Sequence, residues 1–217
     1  MIQIKQFTFN AYQENTYILY DQTNEALIID PGCYTAAEQK TLKTFISQNE
    51  LKVVWLLNTH CHIDHVLGNR FVVDTYGVPF AAHKTELEYL KEVPNYAPMM
   101  GFRYDESPMP THFLDHNDVI TFGNESRLEV LFTPGHSAGS ISFYSKKQGF
   151  LVSGDVLFAG SIGRTDLPGA NYETLMDSIR TKILTLPSQT VVYSGHYEPT
   201  TVGQERQTNP YLQNVNL

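Results

Sequence analysis

Cysteine is scarce in this 217-residue chain, which contains two, Cys33 and Cys61. Two cysteines do not make a disulfide framework of the kind that stabilises small secreted proteins. The N-terminal residues also lack a positively charged segment followed by an apolar run and a small-residue cleavage site, which together mark a secretory signal. We therefore expect a protein of the reducing cytoplasm.

Positive charge is also in short supply, since 15 Lys and Arg residues stand against 23 Asp and Glu residues and the formal net charge is −8. A nucleic-acid-binding surface needs clustered Lys and Arg to displace counterions from phosphate, and the sequence has no such cluster. No uncharged apolar stretch reaches the roughly 18 residues of a membrane helix. The expected partner is a small-molecule substrate, with no nucleic acid and no membrane.

Hydrophobic residues make up 41% of the chain and charged residues 18%, a balance typical of globular proteins with a buried core. Short apolar runs bounded by turn residues predict strands, and apolar residues at helical spacing predict helices. The predicted strands are 2–9, 15–20, 25–30, 53–57, 78–82, 119–122, 127–133, 140–145, 150–153 and 191–194, and the predicted helices are 36–49, 64–76, 84–92 and 172–184. Two halves, each a sheet with helices on its outer face, satisfy this order, so we predict a layered α/β sandwich.

Residues 93–117 contain four prolines and little periodicity. A structureless segment of this length inside a compact chain often serves as a lid or a binding loop. Met99, Met100, Phe102 and Tyr104 are therefore candidates for lining a substrate pocket. Simple packing under a loop is the alternative explanation for these four side chains.

Residues of the types that bind metals are concentrated at the ends of predicted strands. Three histidines and an aspartate lie within six positions after strand 53–57, and three further such residues each follow a glycine at a strand end. These seven residues are His60, His62, Asp64, His65, His136, Asp155 and His196. Imidazole and carboxylate groups suit zinc, iron and manganese, and strand ends are where α/β folds place their sites. The group predicts a metal centre.

Each of these residues also has an ordinary structural explanation. Asp64 is a fair helix N-cap, because aspartate is favoured at that position, and Asp155 is suited to capping a turn. His83, His112 and His116 have no companion at a strand end, so we interpret them as surface or packed histidines. The metal interpretation is favoured for the seven residues together, because chance does not readily place that many metal-type side chains at strand ends.

The segment Thr59-His-Cys-His-Ile-Asp-His65 resembles the His-x-His-x-Asp-His signature of the metallo-β-lactamase superfamily. The pairs Gly135-His136, Gly154-Asp155 and Gly195-His196 follow in the order of that superfamily. The resemblance covers nearly the whole chain and implies a single domain over residues 1–217 with the four-layered αββα sandwich of the metallo-β-lactamase fold.

The resemblance also implies two divalent metal ions, with zinc expected first and iron or manganese as alternatives. His60, His62 and His136 would hold one ion, Asp64, His65 and His196 the other, and Asp155 would bridge both. Two ions together activate water as a hydroxide nucleophile. Asp64 is assigned a second, catalytic role in which it hydrogen-bonds the nucleophile and accepts its proton. True β-lactamases of the superfamily usually lack the bridging aspartate and carry a secretion signal, so antibiotic hydrolysis is not expected.

Residues 160–166 and 200–206 resemble the glyoxalase II-like, or hydroxyacylglutathione hydrolase-like, members of the superfamily. This likeness implies a metal-dependent hydrolase of thioesters. The chain ends soon after His196, so the helical glutathione-binding domain of full-length glyoxalase II is expected to be absent. Arg164 and Tyr104 are candidate substrate contacts, with a structural Arg164–Asp166 pair as the alternative for the first.

Two other functions stay open. A persulfide dioxygenase of the same superfamily would use a single iron, held here by His60, His136 and Asp155. A metal-containing binding module without turnover is the non-enzymatic alternative, disfavoured because a purely structural metal does not require an open position for water.

Overall fold

A computed structural model describes residues 1–213. None of the helices in this part of the chain is long and apolar enough to cross a membrane. Fourteen strands occur in the described residues: β1 Gln3–Phe9, β2 Glu14–Tyr20, β3 Glu25–Ile29, β4 Lys52–Leu57, β5 Phe80–Ala82, β6 His112–Phe113, β7 Val119–Phe122, β8 Ser126–Phe132, β9 Ile141–Ser145, β10 Phe150–Gly154, β11 Leu157–Phe158, β12 Ser161–Ile162, β13 Val191–Ser194 and β14 Thr200–Thr201. The α-helices are α1 Ala36–Gln48, α2 Ile63–Val66, α3 Asn69–Tyr76, α4 Glu86–Tyr96, α5 Tyr172–Ser178 and α6 Val202–Thr208.

The chain divides into two compact units. The first comprises Met1–Leu114 and Thr121–Arg127, and the second comprises Asp115–Ile120 and the chain from Leu128 onward. One six-stranded sheet runs in the order β1-β2-β3-β4-β5-β6, and another runs in the order β14-β13-β10-β9-β8-β7. The two halves predicted from the order of elements are therefore present, each built on one mixed sheet.

The sheet of the first unit changes from antiparallel to parallel pairing at β3. Strands β1, β2 and β3 pair antiparallel, and β3 to β6 pair parallel. Ile18, Ile28 and Leu56 are fully buried in its core together with side chains from α1 to α4. Helix α1 begins with a capping box, in which Thr35 and Glu38 bond each other's backbone N–H groups and so satisfy donors that a helix start leaves open.

The second sheet brings three strand ends to one edge. Strand β9 pairs antiparallel with both β8 and β10, and β10 pairs parallel with β13. Strands β8, β10 and β13 therefore run in the same direction, and their carboxyl ends share an edge of the sheet. Asp155 directly follows the end of β10, and His196 and His136 lie two and four residues after the ends of β13 and β8. Leu175 of α5 and Ile179, the residue after α5, are buried in the core of this unit.

The single helix predicted over 64–76 is wrong, because the structure has two helices there, α2 and α3. Gly68 interrupts them, and its N–H donates to the Pro31 carbonyl at 2.7 Å. A Cβ at Gly68 would lie 2.7 Å from that same carbonyl oxygen, so glycine is needed for the close approach. The helical spacing of the sequence continues through this point, whereas the tertiary contact with Pro31 breaks the helix.

The long loop predicted over 93–117 is also largely wrong. Helix α4 continues to Tyr96 despite Pro94, Ala97–Met100 form a 3-10 turn, and His112–Phe113 add strand β6. Val93, Ala97 and Phe102 are buried in the core of the first unit. Burial of these side chains offsets the loss of one backbone donor at the proline. The irregular parts of the segment are residues 101–111 and 114–117.

Candidate metal centre

Four of the predicted ligands lie together after strand β4 in the first unit. The ring centroid of His60 is 4.7 Å from that of His62 and 4.1 Å from that of His65. The His65 Nε2 atom is 3.6 Å from Oδ2 of Asp64. His60 and His65 are buried, whereas His62 and Asp64 keep partial exposure. The helix N-cap is His62 and not Asp64, so the capping explanation for Asp64 is wrong.

Asp30, at the end of β3, fixes the orientation of two of these histidines. Its Oδ2 accepts from the Thr59 hydroxyl at 2.6 Å and lies 3.2 Å from Nδ1 of His65. Because the Thr59 hydroxyl donates its hydrogen to Asp30, it acts as an acceptor toward Nδ1 of His60, which is 3.0 Å away. A carboxylate only accepts, so Nδ1 carries the proton in both rings. In the neutral form of each ring, Nε2 of His60 and His65 then carries the lone pair that a metal ligand needs.

Asp30 is itself close enough to both rings to belong to a metal-binding group, because one atom of each residue lies within 4.8 Å of the others. Its oxygens are already used, however. Oδ1 accepts from the Thr59 N–H at 2.7 Å and from Asn58 Nδ2 at 3.2 Å, in addition to the two bonds on Oδ2. We conclude that Asp30 positions the ligands and is not itself one.

A second buried carboxyl, Glu14, lies beside the same imidazole. Its Oε1 is 3.9 Å from Nδ1 of His65, and its Oε2 accepts from the Thr16 hydroxyl at 2.9 Å. Burial raises the pKa of Glu14 well above its usual value, although the neighbouring His65 opposes the shift. A side chain at Gly32 would collide with Oε2 of Glu14, so the Pro31-Gly32 turn after β3 leaves room for this carboxyl.

The other three predicted ligands lie together in the second unit, around Asp155. Its Oδ2 is 3.6 Å from Nε2 of His136 and 3.3 Å from Nε2 of His196. Asp155 and His136 are buried, and His196 keeps partial exposure. The three residues that the sequence pattern grouped as candidate ligands therefore lie side by side in the structure, at the edge shared by β8, β10 and β13.

The backbone around Asp155 is tightly packed. Nδ1 of His136 donates to the Arg164 carbonyl at 2.9 Å, which again leaves Nε2 as the deprotonated nitrogen. A side chain at Gly163 would collide with the Asp155 carbonyl, and one at Gly135 would collide with the backbone of Leu175. The Ser194 hydroxyl donates to the His196 carbonyl at 2.6 Å.

These donor sets fit divalent metal. Two ligands that each lie about 2.1 Å from one ion at a near-tetrahedral angle are about 3.4 Å apart. The separations around Asp155, 3.3 and 3.6 Å, and the 3.6 Å between His65 and Asp64 match that spacing. His60, His65 and His136 each have Nδ1 held by an oxygen acceptor, which is how metal-ligating histidines are normally supported.

The predicted substrate contacts have other partners. The Arg164 guanidinium binds both carboxylate oxygens of Asp166, at 2.7 and 2.8 Å, which is the structural pair considered as the alternative. The Tyr104 hydroxyl accepts from the Ser107 N–H at 3.1 Å, and burial raises the pKa of Tyr104 to about 12. Phe102 is buried and stacks on Tyr12 at 5.7 Å, as the packing alternative predicts. A substrate role for Arg164 and Tyr104 stays a prediction.

The residues that support the ligands were not predicted from the sequence: Asp30, beside His65, and Glu86, whose carboxylate accepts from the Cys61 N–H. A signal for Asp30 was present, since it is an aspartate at a strand end followed by Pro-Gly, much as Asp155 follows a strand end. The isolated histidines behave as expected: His83 accepts from the Thr85 N–H, His112 packs on Trp55, and His116 lies 3.2 Å from the Lys182 amine.

Comparison with known proteins gives the family. Residues 10–196 match the model of the metallo-beta-lactamase superfamily. The chain is 39% identical to a protein named probable metallo-hydrolase YqgX of Bacillus subtilis, over 94% of this chain and 95% of the relative. It is 36% identical to hydroxyacylglutathione hydrolase GloC of Haemophilus influenzae, over 93% of this chain and 94% of the relative.

Solved structures give the same result. BLEG-1, a B3 metallo-beta-lactamase, superposes with a TM-score of 0.90 at 38% identity, over 98% of this chain and all of that one. A di-iron-bound form of TTHA1623 superposes with a TM-score of 0.86 at 33% identity, over 96% of this chain and all of that one. The chain therefore belongs to the metallo-β-lactamase superfamily, has the metallo-β-lactamase fold, and falls in the metallo-hydrolase class.

Proposed function

We propose that the protein hydrolyses thioesters, with hydroxyacylglutathione or a similar acyl-thiol as the substrate. The observation that carries the proposal is the support of the two ligand clusters: Nδ1 of His65 in the first unit and Nδ1 of His136 in the second each face an oxygen acceptor, which leaves Nε2 as the nitrogen available to metal. The likeness to GloC, which extends over 93% of this chain, supports the thioester class.

The ligands we propose are those identified from the sequence: His60, His62, Asp64 and His65 in the first cluster, and His136, Asp155 and His196 in the second. Divalent metal bound to such residues lowers the pKa of coordinated water and polarises a carbonyl group. Zinc suits the mixture of imidazole and carboxylate, and so do iron and manganese. Iron is a candidate also because the similar protein TTHA1623 is described in a di-iron-bound form.

Asp64 is the residue we assign to proton transfer. Its carboxylate keeps 13% exposure, so water and substrate can approach it. Its backbone is held in place, because Asn10 Nδ2 donates to the Asp64 carbonyl at 3.0 Å. We propose that the carboxylate accepts the proton of the attacking water as the new C–O bond forms.

The leaving group needs less help than the nucleophile. When the C–S bond breaks, the thiol departs as a thiolate, and because an ordinary thiol has a pKa of about 8.5 the thiolate is a good leaving group near neutral pH. One proton acceptor and no separate general acid are therefore sufficient. A site with one proton acceptor therefore suits a thioester better than an amide, because the amine of an amide must be protonated before it departs.

The test combines elemental analysis of the purified protein with a substrate panel. We expect two divalent ions per chain, hydrolysis of lactoylglutathione and related thioesters, and loss of that activity after chelation with recovery on adding zinc, iron or manganese. One iron per chain with oxygen uptake on glutathione persulfide would replace this proposal by a dioxygenase. Preferential turnover of a β-lactam, the reaction in the name of BLEG-1, would overturn it as well. A chelator-insensitive chain without turnover would indicate a binding module.

The cellular setting we propose is the cytoplasm, where the scarcity of cysteine would be unremarkable and where acyl-thiols would meet the enzyme. The partner we propose is the small-molecule substrate alone, in keeping with the net charge of −8.

A further inference from the structure

A buried carboxylate outside the ligand set contacts the metal-binding segment. Glu86, the first residue of α4, is fully buried, and its Oε2 accepts from the backbone N–H of Cys61 at 2.7 Å. Cys61 lies between His60 and His62 in the chain. The peptide that Glu86 holds is therefore the His60–Cys61 peptide, which directly follows one predicted ligand and precedes the next ligand by one residue. Burying a carboxylate costs free energy unless hydrogen bonds compensate, so the contact is not incidental packing.

The same face of α4 contacts the next two residues of the segment. Glu86, Tyr89 and Tyr96 are at positions i, i+3 and i+10, which lie on one side of a helix. The Tyr89 ring stands edge-on to His62, with centroids 6.1 Å apart. The Tyr96 hydroxyl lies near the backbone N–H of Ile63. Side chains of one helix face thus lie against Cys61, His62 and Ile63 in succession.

Cys61 itself contributes no alternative anchor. Its thiol is buried in the apolar core of the first unit, and burial raises the pKa of this thiol well above its usual value. Of the contacts that the structure gives Cys61, the hydrogen bond to Glu86 is the one that fixes the direction of its peptide.

We propose that Glu86 is a positioning residue for the metal centre: by accepting the Cys61 N–H it fixes the His60–Cys61 peptide, and with it the course of the backbone between His60 and His62. The inference rests on the proposed metal-dependent function. A ligand misplaced by a small rotation of that peptide gives up part of its bond to the ion, and outer-shell partners of metal ligands typically contribute 10–100-fold in affinity. We expect Glu86 to act in that range without touching substrate.

The experiment measures cobalt(II) binding to the apoprotein in the absence of substrate, by titration and by the visible absorption band of the bound ion. Glu86→Gln keeps an acceptor of the same length and is expected to bind cobalt within about threefold of wild type, with an unchanged band. Glu86→Leu removes the acceptor and is expected to lose affinity by roughly 10–100-fold, with a shifted band. Glu88→Leu is the matched control, since Glu88 is on the same helix, is 78% exposed and pairs with Lys91.

Equal cobalt affinity and an identical band in wild type and Glu86→Leu would overturn the inference. So would a Glu86→Gln variant as weak as Glu86→Leu, because the acceptor would then not be what matters. If Glu86→Leu fails to fold by circular dichroism, Glu86→Asp decides instead. Its carboxylate is one methylene short of Cys61, so it should bind cobalt more weakly than Glu86→Gln, and equal affinities would contradict the inference.

Failure of the proposed function has a different signature. If the wild type binds cobalt and the Glu86 variants behave as expected, but no thioester is hydrolysed, the positioning role stands and the thioesterase proposal falls. A wild-type chain that binds no cobalt overturns both.

Discussion

Nδ1 of His65 lies 3.2 Å from Oδ2 of Asp30, and both side chains are buried. The same carboxylate also reaches His60 through the Thr59 hydroxyl. One aspartate that is not a predicted ligand therefore sets the tautomer of two histidines that are. The hydrogen bonds of Asp30 that support the predicted ligands can therefore be tested by mutation, as the ligands themselves can.

Replacing Asp30 by Asn should weaken metal binding by roughly 10–100-fold. An amide presents one acceptor oxygen and one donor NH2. The groups that now donate to one of the two carboxylate oxygens would therefore face a second donor instead of an acceptor. Isothermal titration of the apoprotein with zinc measures the change. Asp74→Asn, on an α3 residue that is 62% exposed, is the control and should leave affinity unchanged. Native affinity in Asp30→Asn would show that the tautomers are set in some other way.

Replacing Asp155 by Ala should reduce thioester turnover at least 100-fold and lower the metal content of the purified protein, on the scale of lost catalytic electrostatics. The reason is the placement of Oδ2 between Nε2 of His136 and Nε2 of His196. Activity assays and elemental analysis give the two measurements. Asp177→Ala, on a residue of α5 with 62% exposure, should change neither. Hydrolysis at the normal rate in Asp155→Ala would be incompatible with the proposed ligand set.

Acid should destabilise the protein partly through Asp21. Hydrogen bonds from Ser126 and Thr23 outweigh the opposing effect of burial and hold the pKa of Asp21 at about 2. Because this folded-state pKa is below the unfolded value, the stabilisation is present above about pH 4 and is lost as the pH falls toward 2. Asp21→Asn should therefore cost on the order of 2 kcal/mol at pH 7.

Urea unfolding of wild type and Asp21→Asn at a series of pH values measures that difference in the free energy of unfolding. It should narrow steadily below pH 4, in the window given by the two pKa values. Asp105→Asn, at an exposed position, is the control and should track wild type throughout. A difference that stays constant from pH 7 to pH 2 would mean that Asp21 acts through packing and not through its charge.

Glu50→Gly should stabilise the protein. Glu50 follows the end of α1 with a φ of 53°, a left-handed conformation that suits glycine. The N–H groups of Glu50 and Leu51 donate back to the carbonyls of Ser47 and Ile46, the Schellman pattern in which glycine is favoured at this position. Relief of the Cβ strain, reduced by the extra freedom of glycine in the unfolded chain, should leave a gain of about 0.5–1 kcal/mol.

Thermal unfolding measures this effect as a rise in Tm of roughly 1–4 °C for a chain of this size. Glu50→Ala is the informative control, because it removes the same charged side chain and keeps the Cβ. It should show none of the gain. A Tm that falls in Glu50→Gly, or rises equally in both variants, would contradict the explanation from backbone strain.

The local pattern of the sequence was sufficient to select candidate ligands that the structure places close together. Apolar runs such as 53–57 are buried strands because their side chains face the core on both sides, and a polar residue after such a run lies at a sheet edge. His60, His136, Asp155 and His196 were all found in this way. Element ends were less predictable: Pro94 suggested a loop where burial of Val93 and Ala97 maintains helix, and Gly68 breaks a helix through its contact with Pro31.

The tertiary structure decided what supports the ligands. Strands β3 and β4 pair in parallel with Ile29 opposite Leu57, so the next residues, Asp30 and Asn58, emerge side by side although 28 positions separate them. Glu86 reaches Cys61 from a helix 25 residues further along. The sequence determines which side chains can bind metal, because that depends on their chemistry and their place at strand ends. The hydrogen bonds that orient those side chains depend on strand register and helix docking, which long-range packing sets.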